Sequence, residues 1–159
     1  MLKIILVVSL IVLNSCSKSE DTKLADLDID NYLEVLKAKN NKAVLINLWA
    51  TWCKPCIEEF PLIVKLRNKY KDKIDIVFIS LDDDERREGV YDFLNKMNVD
   101  WKTYIKTGSD EVLFKFMPDD FSGAIPYTII KNKENKIVSQ FMGKHNFEFF
   151  EEKIKMAIK

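Results

Sequence analysis

An almost unbroken apolar segment, Lys42-Ala43-Val44-Leu45-Ile46-Asn47-Leu48-Trp49, runs into Ala50-Thr51-Trp52-Cys53-Lys54-Pro55-Cys56 and then into Ile57-Glu58-Glu59-Phe60. The first stretch has the length of a strand and is apolar at successive positions, as a strand covered on both faces must be. The last reads as helix. A buried strand that hands over to a helix predicts an α/β chain, and it puts two cysteines in the helix's first turn. Unpaired backbone N–H groups and the helix dipole favour a thiolate there. The C-x-x-C spacing also brings the two sulfurs within reach of a disulfide. This junction is where redox chemistry is expected.

The flanking chain fits the same class. Leu24 to Asn40 reads as a turn and an amphipathic helix with Tyr32, Leu33 and Leu36 on one face, capped by Asp28 or Asp30. The cysteine-bearing helix continues through Leu62, Ile63 and Leu66, with a kink expected at Pro61. Ile74 to Leu81 is a second buried strand. Asp82 to Glu85 reads as the acidic first turn of a helix over Arg86 to Met97, rather than as a metal-binding cluster. Trp101 to Ile105 is a third parallel strand and Asp110 to Met117 a short helix. Ala124 to Ile130 is a strand entered through Pro126, paired by a polar turn with the alternating Lys136 to Met142. Phe147 to Ile158 closes the chain as an amphipathic helix presenting Phe147, Phe150, Ile154 and Ile158.

The N-terminus is of a different kind. Lys3 precedes an apolar run from Ile4 to Leu13, too short to span a bilayer and suited to a signal peptide. The run ends in Leu13-Asn14-Ser15-Cys16, which resembles the bacterial lipobox, whose cysteine is lipidated and becomes the mature N-terminus. The expected organisation is a lipoprotein signal peptide over residues 1–15, a lipid-anchored polar tether over 16–23 and one domain over 24–159. The chain has three cysteines, so Cys16 at the lipobox leaves Cys53 and Cys56 as a pair. With 25 basic and 25 acidic residues in 159, no charge excess points to nucleic acid.

Trp49-Ala50-Thr51-Trp52-Cys53-Lys54-Pro55-Cys56, followed much later by Ile125-Pro126-Tyr127-Thr128, resembles the thioredoxin superfamily. Within it, the similarity is to the TlpA/ResA-type thiol–disulfide oxidoreductases tethered to membranes, and it covers residues 24 to 159. It implies a thioredoxin-like fold, a central mixed sheet flanked by helices. The helix Arg86 to Met97 and strand Trp101 to Ile105 would be the TlpA-type insertion. It implies a cis Pro126 facing the disulfide, no cofactor beyond the redox pair, and a glutamate in C-x-x-C-x-x-E, here Glu59. Asn47 stands where thioredoxin has a buried aspartate. It further implies a reductant on the periplasmic side of a bacterial envelope, acting on disulfide-containing envelope proteins. A membrane thiol donor of the DsbD/CcdA kind would keep it reduced, and a monomer is expected.

The residues themselves suggest the roles. Cys53, at the helix start, is expected to be the more exposed thiol and the nucleophile, its thiolate favoured by Lys54. Pro55 stiffens the first turn. Cys56, one turn in, is expected to be buried and to resolve the mixed disulfide. Burial opposes its ionisation, and Glu59, three residues on, could accept its proton. Trp52 is expected to shield Cys53. Ile125 and Pro126 would offer backbone to an extended substrate, with Phe114, Phe116 and Phe121 as possible groove or core residues. Two alternatives compete with this reading. A copper metallochaperone of the same fold would use Cys53, Cys56 and His145, although copper chaperones of this fold usually space their cysteines C-x-x-x-C. A peroxiredoxin-like peroxidase would need a Pro-x-x-x-Thr-x-x-Cys setting that the chain lacks.

Replacing the lipobox cysteine tests the anchor. Cys16→Ala is expected to leave the domain folded and active while releasing it from membranes in cell fractionation. Mass spectrometry that finds no lipid on Cys16 of the native protein contradicts the anchor.

Overall fold

The computed structural model of the chain describes residues 24–28 and 30–159. The segments expected to be a signal peptide and a tether, with Cys16, lie outside the described residues. The order is β1 (Leu24–Leu27), α1 (Tyr32–Val35), β2 (Ala43–Trp49), α2 (Lys54–Tyr70), β3 (Ile74–Ser80), a 3-10 turn (Asp84–Arg86), α3 (Arg87–Lys96), β4 (Thr103–Lys106), α4 (Asp110–Phe116), β5 (Tyr127–Lys131), β6 (Ile137–Met142) and α5 (Phe147–Ala157). The strands form one six-stranded mixed sheet in the order β1-β4-β3-β2-β5-β6. β1, β4, β3 and β2 run parallel, and β5 and β6 pair antiparallel. The α3–β4 unit that the resemblance marks as an insertion puts β4 between β3 and the edge strand β1.

β2 sits inside this sheet, and every one of its seven residues is buried. Alternation along a strand divides them between two cores. Ala43, Leu45 and Trp49 face the layer containing Phe60, Phe78, Phe150 and Ile154. Val44, Ile46 and Leu48 face the layer containing Tyr32, Leu113, Phe121 and Ile129. A slip of one residue against either neighbour would exchange the two sets, so the double burial fixes the register. Asn47 falls on the first face and is 1% exposed, so its amide needs partners inside the protein.

One expected element is different. The N-terminal segment begins as a strand, β1, that pairs in parallel with β4, and the helix that follows is only the four residues Tyr32–Val35. Asp28 Oδ1 accepts the N–H groups of Asp30 (3.1 Å) and Asn31 (3.2 Å) and turns the chain between the two. Tyr32 and Leu36 are buried, but Leu33 is 61% exposed. Four residues carry too little periodicity to declare a strand, and the open edge of β4 supplied the partner. α2 continues across Pro61 as a single helix.

Phe60 couples helix to sheet at the centre of the first core. It is 0% exposed, stacked on Phe78 at 3.9 Å and edge-on to Trp49 at 4.7 Å. Phe60→Ala is expected to cost about 3–5 kcal/mol in urea unfolding, since the cavity cannot close against a rigid sheet. A loss below about 1 kcal/mol would show that this layer is not tightly packed.

Candidate active site

The site is built where β2 ends. Trp49 O accepts the N–H of Leu81 (2.8 Å), which carries the pairing of β2 and β3 one step past the last ladder residue. Ala50 O then accepts the N–H of Cys53 (3.1 Å), closing a four-residue turn. Cys53 is the N-cap of α2, in an extended conformation, and its Sγ accepts the N–H of Cys56 at 3.3 Å. A sulfur held in this position receives a helix N-terminus directly, which is the arrangement that favours a thiolate. Pro55 occupies the first turn of α2, where its missing N–H is no loss.

Cys53 and Cys56 are joined in a disulfide, with Cα atoms 5.2 Å apart. Cys53 is 5% exposed and Cys56 1% exposed, so both are buried and Cys53 is the outer of the two. Trp52, expected to shield Cys53, is the residue just before it in the turn. It is 58% exposed and stands at the surface of the turn. The peptide bond Ile125–Pro126 is cis, and Ile125 O lies 3.7 Å from Cys53 Sγ. Pro126 O accepts the N–H of Gly143 (2.8 Å), so an added strand would have to pair ahead of Pro126. Phe121 is buried against Tyr127, Phe116 stacks on Tyr32 at 5.0 Å, and Phe114 is 46% exposed.

Glu59 is 1% exposed. One Oε accepts Asn47 Nδ2 (3.0 Å) and the other the backbone N–H of His145 (3.2 Å). Asn47 Nδ2 also donates to Thr128 Oγ1 (3.0 Å), its cross-strand neighbour on β5. Burial pushes the Glu59 carboxyl up from 4.5 to about 7, and the two donors and Lys144 only partly oppose it. Lys144 itself pairs with Glu58 at the surface. A carboxyl that changes charge near neutral pH therefore sits one helical turn beyond Cys56.

His145 lies in the loop between β6 and α5, but its ring is packed against aromatic side chains, which the sequence does not announce. It stacks on Phe149 at 3.9 Å and meets Phe141 edge-on at 4.9 Å, with Nε2 buried and unpartnered. Its contribution to the site is the backbone N–H on Glu59, for which a sequence carries no signal. Asp82 is a second surprise. It is 0% exposed, not part of an acidic first turn, and it holds the turn before Cys53 through Thr51. The available signal was its position just past β3, the strand beside β2. Thr128 belongs to the Ile125-Pro126-Tyr127-Thr128 motif, but its bond to Asn47 exists only because the two strands are neighbours.

A redox-active cysteine pair on a helix N-terminus, at the end of a central strand of a thioredoxin-like sheet, defines a thiol–disulfide oxidoreductase. The family model described as Redoxin matches residues 17–154. The chain belongs to the redoxin family. It is 32% identical over 124 residues to the thiol-disulfide oxidoreductase ResA of Bacillus thuringiensis (strain Al Hakam), covering 78% of this chain and 68% of that protein. It is also 43% identical over 53 residues to the thioredoxin-like protein YneN of Bacillus subtilis (strain 168), 33% of this chain and 31% of that one. In solved structures the fold is similar to a thioredoxin family thiol:disulfide interchange protein of Chlorobium tepidum TLS, with a TM-score of 0.64 and 19% identity over 79% of this chain and 84% of that one. StoA from Bacillus subtilis is similar with a TM-score of 0.57 and 21% identity over 71% and 82%.

The raised Glu59 gives a sign to the pH dependence. Its folded-state value lies above its unfolded value, so its contribution to stability is complete below about 4.5 and lost as pH rises through about 7. Glu59→Gln is expected to remove that fall between pH 4.5 and 8 in urea unfolding. It should also slow turnover near neutral pH by roughly tenfold, an effect that shrinks at high pH where Cys56 ionises unaided. Wild-type rates from pH 6 to 9 in the variant would remove Glu59 from the reaction.

Proposed function

We propose that this protein reduces disulfides in partner proteins on the periplasmic side of a bacterial cell envelope, held to a membrane by a lipid on Cys16. The observation that carries the reading is the Cys53–Cys56 disulfide at the start of α2 with the buried Glu59 one turn beyond it. In the dithiol form, the Cys53 thiolate attacks one sulfur of a substrate disulfide. A Cys53–substrate bond forms and the other substrate sulfur leaves as a thiolate. Cys56 then gives its proton to Glu59 and attacks Cys53 Sγ. The Cys53–Cys56 bond forms, and the second substrate thiolate is released. Two electrons pass from the cysteine pair to the substrate. A membrane dithiol donor of the DsbD/CcdA kind returns them in the opposite exchange.

Ile125 and Pro126 are the substrate-facing backbone in this reading, supported by the contact of Ile125 O with Cys53 Sγ. Trp52, exposed on the turn, offers an apolar surface beside the pair. The signal-like N-terminus and the lipobox support the location. The reducing direction rests on the resemblance to TlpA/ResA-type proteins. Equilibration with glutathione tests it: a reductant remains mostly disulfide in a buffer where an oxidant of DsbA type is mostly dithiol.

The two cysteines should differ in kind when replaced. Cys53→Ser is expected to abolish disulfide reduction, and Cys56→Ser to accumulate mixed disulfides visible on non-reducing gels. Equal trapping by both variants, or turnover in Cys53→Ser, would overturn the order of attack.

A further inference from the structure

β3 lies beside β2 in the sheet, so the residues just beyond its end reach the turn that precedes Cys53. Asp82 is the one that does so. A carboxylate at 0% exposure is costly unless donors meet it, and here they are neutral. Thr51 donates twice, its N–H to Oδ2 (2.8 Å) and its hydroxyl to Oδ1 (2.6 Å). Ser80 donates its hydroxyl to Oδ2 (2.7 Å) and accepts the Asp82 N–H (3.0 Å), which fixes the carboxylate on its own strand.

Thr51 is the first central residue of the turn closed by the Cys53 N–H on Ala50 O. A turn's closing bond leaves its central N–H groups free to move with solvent. In this one, the first central residue is pinned to the sheet at both its backbone and its side chain. The next residue but one is Cys53, whose sulfur must sit at the Cys56 N–H to receive the helix terminus. We propose that Asp82 is a positioning residue for the redox pair, clamping residues 50–53 through Thr51 so that Cys53 Sγ is held at the N-terminus of α2. The clamp rests on the thiol–disulfide reading of the site. It acts on the nucleophile's side, while Asn47 and Glu59 serve the Cys56 side.

Thr51→Val is the cleanest test because it removes a hydroxyl and leaves every charge in place. Those charges are Lys54, Glu58 and Glu59 on α2, Lys144 after β6, and Asp82 to Asp84 beyond β3. The measurement is iodoacetamide alkylation of Cys53 in the reduced full chain from pH 5 to 10, the modified residue located by mass spectrometry. Thr51→Val is expected to lower the thiolate fraction of Cys53 at pH 7 about threefold and move the profile upward in pH. Thr51→Ser, which restores the donor, should follow the wild type. Asp82→Asn, which turns a donor toward Thr51, should shift the profile in the same direction by at least as much, and adding Thr51→Val should change it no further.

A Thr51→Val profile superimposed on the wild type, with only a lower melting temperature, would reduce Asp82 to support of the fold and overturn the clamp. A downward shift in Asp82→Asn without any in Thr51→Val would also overturn it, because the carboxylate would then act only as a charge. Should Asp82→Asn fail to fold, the Thr51 pair decides. Wild-type protein that exchanges no thiol with a model disulfide would instead refute the underlying functional reading. Wild-type exchange with an unaffected Thr51→Val refutes the clamp alone.

Discussion

The hydrogen bond from Asn47 to Glu59 joins the central strand to the helix that carries the cysteines, and the geometry around the pair is built on it. β2 is buried on both faces, so a polar side chain in its middle must find partners across the core. Asn47 finds two, Glu59 on α2 and Thr128 on β5, and thereby brings three elements to one point. Glu59 is buried by the same packing that positions it. Its two donors are neutral, so they hold the carboxyl in place and offset its desolvation only in part. A carboxyl tuned close to neutrality results from burial with incomplete compensation.

The cysteine pair is supported from both sides of the sheet's end. On one side, Glu59 reaches into the core one turn past Cys56. On the other, Asp82 and Ser80 extend from β3 to the turn before Cys53. Both carboxyl groups come from elements that pack directly against β2, which is why the strand's register matters to the geometry of the site. Parallel strands place their C-terminal ends at one edge of the sheet, and the residues beyond those ends are free to converge. β5, entering antiparallel, contributes the cis Ile125–Pro126 segment to the same edge. The site is therefore shared among four separate stretches of chain, none of which could form it alone.

Much of this is legible in the sequence. The bounds of β2 follow from an apolar run ending at a turn, and the positions of α2, β3 and α5 follow from period and capping. Cys53 and Cys56 were legible because their spacing and their place after a buried strand are local properties. β1 was not, since four residues of mixed character take their structure from the edge of β4. By sequence Asp82 is one of four acids at the start of a helix. Sequence adjacency suggested a group, but only Asp82 turns inward, and the helix itself starts later, at Arg87. Trp52 stands 58% exposed on the turn beside the pair, a degree of exposure that its sequence neighbours do not set.

Local chemistry written in the chain determined that a redox pair would sit on a helix N-terminus, because hydrophobic period and cysteine spacing act over a few residues. Tertiary structure decided which distant groups would meet that pair. Asn47 reaches Glu59, Asp82 reaches Thr51 and the His145 N–H reaches Glu59 only after strands separated in sequence become neighbours. It also decided the protonation behaviour of Glu59, since a carboxyl's charge state depends on how completely water is excluded and on which donors remain. Neither quantity is a property of a residue or of its sequence neighbours. Both belong to the packed core around β2.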